Sequence, residues 1–339
     1  MGLNKPRRVM PLLWTLLLAM LIISMANGAV SIPVSRIWDA LSEILTSPSA
    51  LWSSEATILW RLRIPRALLA AVVGAGLATA GAVLQGLLRN GLADSYVLGV
   101  SSGASLGAAL AMLMGLRLSF FGLGSVTPAA FIGATLTLFA VVFIARRMAG
   151  NSTLGLLLAG IAMSSFLSAI VSMLVFFSRE RIQPIIFWTM GGFGARSWNH
   201  LLAVTPYMLI GYAVAFLLNR QLTAISLGDE TAHHLGVNVP RTRLVLLGAS
   251  ALLTAAAVSV SGVIGFVGLM IPHMARMVSS HNYRRLLPTS ALLGATFLVA
   301  ADLIARVIVK PAELPVGIIT ALCGGPFFIY LLSKRKREV

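Results

Sequence analysis

The chain consists largely of apolar runs about 20 residues long, the length that a helix needs to cross the hydrocarbon core of a membrane. Eight such runs follow one another, at 10–30, 66–88, 96–116, 126–145, 152–178, 199–219, 286–309 and 315–333. Charged residues make up only 11% of the 339 residues, whereas soluble domains contain about 25%. Because helices satisfy their own backbone hydrogen bonds in lipid, we predict an all-α polytopic membrane protein.

The apolar region 244–275 is too long for one span. As a single helix it would measure about 48 Å, whereas the hydrocarbon core is about 30 Å thick. The sequence SGVIG at 261–265 supplies two glycines where a helix breaks easily. We therefore predict two shorter spans, at about 243–259 and 263–279, which brings the total to about ten.

An even number of spans places both ends of the chain on the same side of the membrane. The first tail, 1–9, contains three cations, and the last tail, 334–339, contains four. By the positive-inside rule, both tails are cytoplasmic. The first apolar run also resembles a signal peptide, but it is long for the apolar region of one, so we interpret it as a span. No long polar segment divides the chain, and we predict one transmembrane domain, 1–339.

The net charge of +16 does not indicate nucleic-acid binding. The basic residues occur in small groups at the ends of the apolar runs, where they contact lipid headgroups, and the sequence has no sustained basic helix. This distribution favours a multi-pass protein of the cell membrane, in contact with lipid. The one cysteine, Cys323, excludes an internal disulfide.

One short segment, 227–243, is polar in a chain that is otherwise apolar. Two acidic residues at 229–230 precede two histidines at 233–234, and the helix dipole favours this charge order. Gly236 then predicts a left-handed end to the helix. A helix this short is unstable alone, so this protein or a partner must contact it. We place it in a cytoplasmic loop, 220–242.

Gly99, Gly103 and Gly107 recur at every fourth position and form one face of a predicted helix. Close packing against another helix is one interpretation. The other is that this face, together with Ser101 and Ser102, lines a passage for a bulky solute. The pattern alone leaves both interpretations open.

Charged residues also occur at the predicted outer ends of two spans. Asp302 and Arg306 are four residues apart on a helix, so they face each other as an ion pair. The alternative, a proton-coupling carboxylate, is disfavoured because the arginine stabilises the charged form of Asp302. Arg63 and Arg66 open the second span, where they anchor lipid headgroups or dock an acidic partner outside the membrane.

Motifs for catalysis are absent from the sequence. It has no nucleophile elbow, no GxxxxGK[ST] loop and no GxGxxG after a strand. None of the five histidines belongs to an HExxH motif or an i, i+4 pair. We therefore expect no catalytic residue, no metal ligand and no bound cofactor in this chain. If ATP drives transport, another polypeptide hydrolyses it.

A series of short motifs between about 60 and 333 resembles the FecCD-type permeases of bacterial ABC importers. The matching segments are 62–66 (LRIPR), 81–90 (GAVLQGLLRN), 92–94 (LAD), 98–103 (LGVSSG), 158–160 (LAG), 187–191 (FWTMG), 227–230 (LGDE), 235–238 (LGVN), 265–269 (GFVGL), 272–273 (PH) and 313–317 (ELPVG). Gly91 and Ser95 stand where the family often has prolines, which makes that loop less rigid.

This resemblance implies a type II ABC importer permease with ten spans and both termini cytoplasmic. It implies a second permease subunit, two cytoplasmic ATPases that bind ATP and Mg²⁺, and an extracytoplasmic binding protein. It assigns the polar loop to coupling with the ATPase, and three arginines to docking of the binding protein. The coupling residues are Gly228, Asp229, Glu230, His233, Leu235, Gly236 and Asn238, and the docking residues are Arg63, Arg66 and Arg306.

The family imports ferric siderophores, haem or cobalamin, and these motifs do not separate the three. We expect an iron chelate, specifically a ferric siderophore, because it is the commonest solute in the family. The sequence also leaves open whether the second permease subunit is a copy of this chain. A secondary transporter driven by an ion gradient is the alternative of another class, but it needs carboxylates near the membrane midplane, where only Asp302 is available.

Overall fold

The computed structural model describes residues 6–28, 32–48, 52–116, 123–149, 153–178, 182–309 and 311–335. In these residues every regular element is helical. The helices are α1 (Pro6–Ala26), α2 (Val34–Thr46), α3 (Ser54–Ile58), α4 (Ile64–Leu87), α5 (Val100–Leu113), α6 (Val126–Ala149), α7 (Thr153–Phe177), α8 (Ile182–Thr189), α9 (Trp198–Leu217), α10 (Asn219–Leu227), α11 (Asp229–His234), α12 (Val239–Ser261), α13 (Val267–Val278), α14 (Tyr283–Val307) and α15 (Val316–Arg335). The outermost parts of the predicted tails, 1–5 and 336–339, lie outside the described residues.

The number of apolar helices agrees with the sequence prediction. Seven helices of the described chain are long and apolar enough to cross a membrane, namely α1, α4 with the turns before it, α6, α7, α9, α12 and α14. Three shorter apolar helices, α5, α13 and α15, correspond to the other three predicted spans. The all-α polytopic class and the count of about ten are therefore confirmed, whereas the sidedness of the two tails stays a prediction.

The break predicted inside region 244–275 lies between α12 and α13. Gly262 has a φ of +66° and ends α12, and Phe266 has a φ of +68° and precedes α13. The two helices are unequal, which the sequence did not indicate. The 23 residues of α12 are enough to cross a bilayer, whereas the 12 residues of α13 extend about 18 Å, roughly half the hydrocarbon thickness.

The helix at the centre of the molecule is α4, which packs against α9, α12, α13 and α14. Its apolar segment is 83% buried, whereas that of α7 is only 17% buried. Small residues allow this crowding. A side chain at Gly74 would overlap the backbone of Gly294 in α14, and one at Gly81 would overlap the backbone of Gly268 in α13. Backbone-to-backbone contact of this kind is how helices associate in membranes.

Candidate functional site

The polar helix predicted from the sequence is α11, and its end has the predicted geometry. Gly236 has a φ of +76°, and its amide donates to the carbonyl of His233 at 2.9 Å. The amide of Val237 donates to the carbonyl of Ala232 at 3.0 Å. This pair of hydrogen bonds is the Schellman motif, which satisfies carbonyls that the last helical turn leaves free. The Gly236 C-cap is thus confirmed.

A small internal contact surface holds α11 on the protein. Ala232 is fully buried, and α11 contacts α10 and α12. Asp229 accepts two hydrogen bonds of 2.9 Å from Nη2 of Arg243 at the start of α12. Arg89, just beyond the end of α4, lies 3.9 Å from the same carboxylate. The helix that could not be stable alone is therefore tied to two long helices.

The other predicted coupling residues divide into an exposed face and two capping positions. Glu230, His233 and Leu235 are exposed, and Leu235 exposes 65% of its surface. Gly228 separates α10 from α11 with a φ of +140°. Asn238 instead caps α12, because its side-chain oxygen accepts from the amide of Arg241 at 3.1 Å. The structure brings all of them into one loop, and their role in coupling stays a prediction.

At the opposite end of α4, Arg66 joins two helices and a loop. Nε and Nη2 donate to the carboxylate of Asp302 in α14, at 2.8–3.1 Å. Nη1 donates to both oxygens of Glu313 at 2.9 and 3.1 Å. Asp302 has no exposed surface and also pairs with Arg306 at 3.1 Å, so the predicted ion pair is present. The part that Glu313 plays was not anticipated, although the ELPVG motif contains it.

The structure places the two other predicted docking arginines inside the protein rather than on its surface. Arg63 and Arg306 each expose 6% of their surface. Arg63 donates to the carbonyls of Met25 and Ala26 at 2.5 and 2.9 Å. Arg306 donates to the hydroxyl of Ser24 at 2.6 Å. Both therefore fasten the end of α1, and this geometry disfavours direct docking by either side chain.

The glycine stripe packs α5 against α6. A side chain at Gly103 would overlap Thr137 and the carbonyl of Gly133, and one at Gly107 would overlap the carbonyl of Ala129. Gly99 lies outside the stripe, because its φ of +75° places it before the first turn of α5.

The residues of the predicted solute passage along this stripe are mostly buried, whereas residues that line a passage would be exposed to it. Gly99, Ser101 and Gly103 are buried, and Ser102 is only partly exposed, 3.4 Å from Ser168 Oγ. The passage interpretation stays an untested prediction, and the geometry favours helix packing.

A cavity that sequence reasoning missed lies beside the α12–α13 break, with a volume of about 530 Å³. Its wall is mainly apolar and includes Met190, Phe266 and Ile318, whereas Asp94 and Tyr96 are polar exceptions. No local motif signals this cavity, because its wall is assembled from α8, α13, α15 and the loop before α5.

A second, smaller cavity of about 220 Å³ lies between Arg66, Glu313 and the glycine-rich loop after α8. Its lining includes Trp188 and Arg196. Arg196 was not among the predicted site residues, because a single arginine before a helix has no distinctive sequence pattern.

The sequence is similar to those of known membrane permeases. The profile of the FecCD transport family matches residues 16–334. The cobalamin import permease BtuC of Halobacterium salinarum is 45% identical over 89% of this chain and 80% of its own length. The hemin transport permease HmuU of Yersinia pestis is 40% identical over 99% and 98%. The Fe(3+)-citrate import permease YfmE of Bacillus subtilis is 35% identical over 97% of both.

A solved structure has the same fold over its whole length. It is described as an inward-facing conformation of a putative metal-chelate type ABC transporter, with a TM-score of 0.83 and 34% identity. It covers 97% of this chain, which in turn covers 99% of it. The family match and the shared fold thus define a permease subunit of an ABC transporter, integral to the membrane and without catalytic function of its own. The chain belongs to the FecCD transport family.

Proposed function

We propose that this permease imports an iron chelate and that α11 couples the import to ATP hydrolysis on a separate chain. The exposed face of α11 carries the coupling proposal. Leu227 and Leu235 expose 71% and 65% of their surface on a loop that is otherwise polar. Exposed apolar side chains on a polar loop suit contact with another protein.

The internal bonds of α11 suit a part that transmits motion. Asp229 joins α11 to Arg243 of α12 and approaches Arg89 beyond α4. A push on α11 by an ATPase would therefore reach the most buried helix of the fold without any new contact. The energy changes the relative populations of two helix packings, which is how a permease alternates its open side.

The proposal includes the partners that the family resemblance implies. Two ATPase chains, each with ATP and Mg²⁺, act on α11 and its counterpart in a second permease subunit. An extracytoplasmic binding protein delivers the solute to the predicted outer side, where Arg66 and Glu313 are the accessible charges of the ion-pair network. The cavity of about 530 Å³ forms part of the route inward.

Names of full-length relatives support an iron chelate as the solute. Two of those described above are an Fe(3+)-citrate and a hemin permease, and both carry iron in a chelate. Cobalamin is the second candidate, because a cobalamin permease is 45% identical. The sequence prediction of a ferric siderophore belongs to the first group.

Reconstitution in vesicles with the ATPase and the binding protein tests the proposed contact between α11 and the ATPase. Leu235→Glu should abolish stimulated ATPase activity and uptake, because it places a charge in the proposed apolar contact. The matched control is His281→Glu, at an exposed position of another loop on the same predicted side. Wild-type activity of Leu235→Glu would disprove the contact.

A competition panel identifies the solute. A ferric siderophore, ferric citrate, hemin and cobalamin are each labelled in turn, and the uptake of each is measured in the presence of the other three unlabelled. We expect the iron chelates to be carried and cobalamin to be ignored. Transport of cobalamin alone would overturn the iron assignment.

A further inference from the structure

The lining of the smaller cavity, of about 220 Å³, carries more positive than negative charge. Arg66 and Arg196 line it with two guanidinium groups, and Glu313 is the one carboxylate in its lining. Asp302 lies behind Arg66, where Arg306 balances it. Two cations and one anion leave the lining with an excess of one positive charge.

The excess positive charge of the lining is carried by Arg196 rather than by Arg66. All three nitrogens of Arg66 donate to carboxylates, two to Asp302 and one to Glu313. Among the described residues no carboxylate oxygen lies within 4.0 Å of the Arg196 guanidinium, and His200 Nε2 is 3.4 Å from its Nη1. Burial lowers the pKa of Arg196, which reflects a desolvated cation. A partly buried guanidinium of this kind attracts an anion from outside.

Two buried donors in the same lining also lack an acceptor. Nε1 of Trp188 has no hydrogen-bond partner, although Trp188 is only 8% exposed. Nε of Arg196 is likewise buried without a partner. Buried donors are satisfied in nearly all native structures, so two unpaired donors in one lining suit an acceptor as the occupant. Both groups donate only, so they pair with an anion and not with a cation.

The loop that carries these donors is held in place. The amide of Gly192 donates to the carbonyl of Ser261 at 2.7 Å, and Phe193 is fully buried. Directly after Arg196, Ser197 and His200 form a capping box at the start of α9. The site is therefore preformed, and binding need not first order the loop.

From this geometry we infer that the cavity is a carboxylate-binding site at the predicted outer mouth, and that its occupant is a carboxylate of the incoming solute. The planar guanidinium of Arg196 matches the two oxygens of a carboxylate. The unpaired indole N–H of Trp188 lies in the same lining. This inference deepens the proposed function, on which its choice of occupant rests, because it selects chelates that carry free carboxylates.

A direct binding measurement tests the site without any transport. The purified permease in nanodiscs is titrated with citrate, and the uncharged triethyl ester of citrate serves as the ligand control. Arg196→Gln and Trp188→Phe should each weaken citrate binding by roughly tenfold, because each removes donors to a charged acceptor. Arg61→Gln removes an exposed cation outside the cavity and should leave the affinity unchanged.

Trp188→Phe keeps a six-membered aromatic ring but removes the five-membered ring with its N–H, so its melting temperature is measured to show that the variant folds. Unchanged citrate affinity in both cavity variants, or equal binding of the ester, would overturn the site. Such a failure would leave the importer function untouched, since it is measured separately by uptake.

Uptake measurements then identify the source of the carboxylate. In the reconstituted importer, Arg196→Gln should slow uptake of ferric citrate severalfold and leave a ferric trihydroxamate, which lacks carboxylates, unaffected. Arg196→Gln could instead slow the uptake of ferric citrate and of the trihydroxamate equally and weaken docking of the solute-free binding protein. That result would assign the bound carboxylate to the binding protein and overturn the proposal that the solute supplies it.

Discussion

Arg243 donates from Nη2 to both carboxylate oxygens of Asp229 at 2.9 Å, and this contact joins the short helix α11 to the long helix α12. The side chain of Arg243 is 18% exposed and that of Asp229 is 44% exposed, so the pair lies at the edge of the protein. Asp229 is therefore occupied within its own chain. We expect Asp229 to pass motion on within the chain, whereas Glu230 and Leu235 are exposed and accessible to a partner.

The first prediction separates the internal Asp229–Arg243 link of α11 from its exposed face. Asp229→Asn and Arg243→Gln should each reduce uptake more than they reduce ATPase binding, because the partner surface of α11 remains while its internal link is weakened. The double variant Asp229→Arg with Arg243→Asp should recover part of the uptake. Uptake and ATPase affinity are measured on the same reconstituted complexes.

Arg241 provides the matched control for Arg243. It lies two residues away, is exposed, and has no carboxylate within 4.0 Å in the described chain. Arg241→Gln should transport normally. If Arg243→Gln behaved like this control, the internal link would have no role in coupling.

The second prediction concerns the end of α11. Gly236 has a φ of +76°, where a side chain raises the energy by about 1–2 kcal/mol. Gly236→Ala should therefore fray α11, and hydrogen exchange of the amides at 232–237 should accelerate. Gly91→Ala is the control, because Gly91 is exposed with open space around it and no positive φ. Equal exchange in both variants would contradict the strain argument.

Sequence reasoning succeeded where the cause of structure is local. The lengths of the apolar runs predict the helices, and Gly236 with its neighbours predicts the end of α11, because each depends on residues close together in the chain. The Asp302–Arg306 pair follows from helix periodicity for the same reason.

The features that the sequence did not reveal all involve contacts between distant segments. Arg66 and Glu313 are 247 positions apart, and only the fold brings them together. Arg63 and Arg306 looked like surface cations, but they are buried because the end of α1 folds over them. The helix α13 is only 12 residues long and packs against α4, and the hydropathy of region 244–275 does not encode this length.

The third prediction concerns stability at the outer ion-pair network. Asp302 has no exposed surface and balances both Arg66 and Arg306. Asp302→Asn removes the carboxylate partner of the buried Arg306 and leaves it facing Arg66, which keeps only Glu313, so it should lower the free energy of unfolding by about 3–5 kcal/mol. Glu313→Gln removes a partner of Arg66 that is 45% exposed, and it should lower the free energy by less than about 1 kcal/mol. Thermal unfolding in nanodiscs compares the two variants, and equal melting temperatures would refute the central place of Asp302.

The fourth prediction compares two glycines within helices. A methyl group at Gly81 would overlap the backbone carbonyl of Gly268, so Gly81→Ala must push α4 away from α13. Overpacking of this kind lowers the free energy of unfolding by about 1–3 kcal/mol. Gly248 in α12 has nothing within 4 Å of the same position, and Gly248→Ala should instead stabilise the helix by about 0.5–1 kcal/mol. Melting temperatures should therefore move in opposite directions, and a rise in both variants would show that helix propensity, rather than the α4–α13 contact, governs the effect.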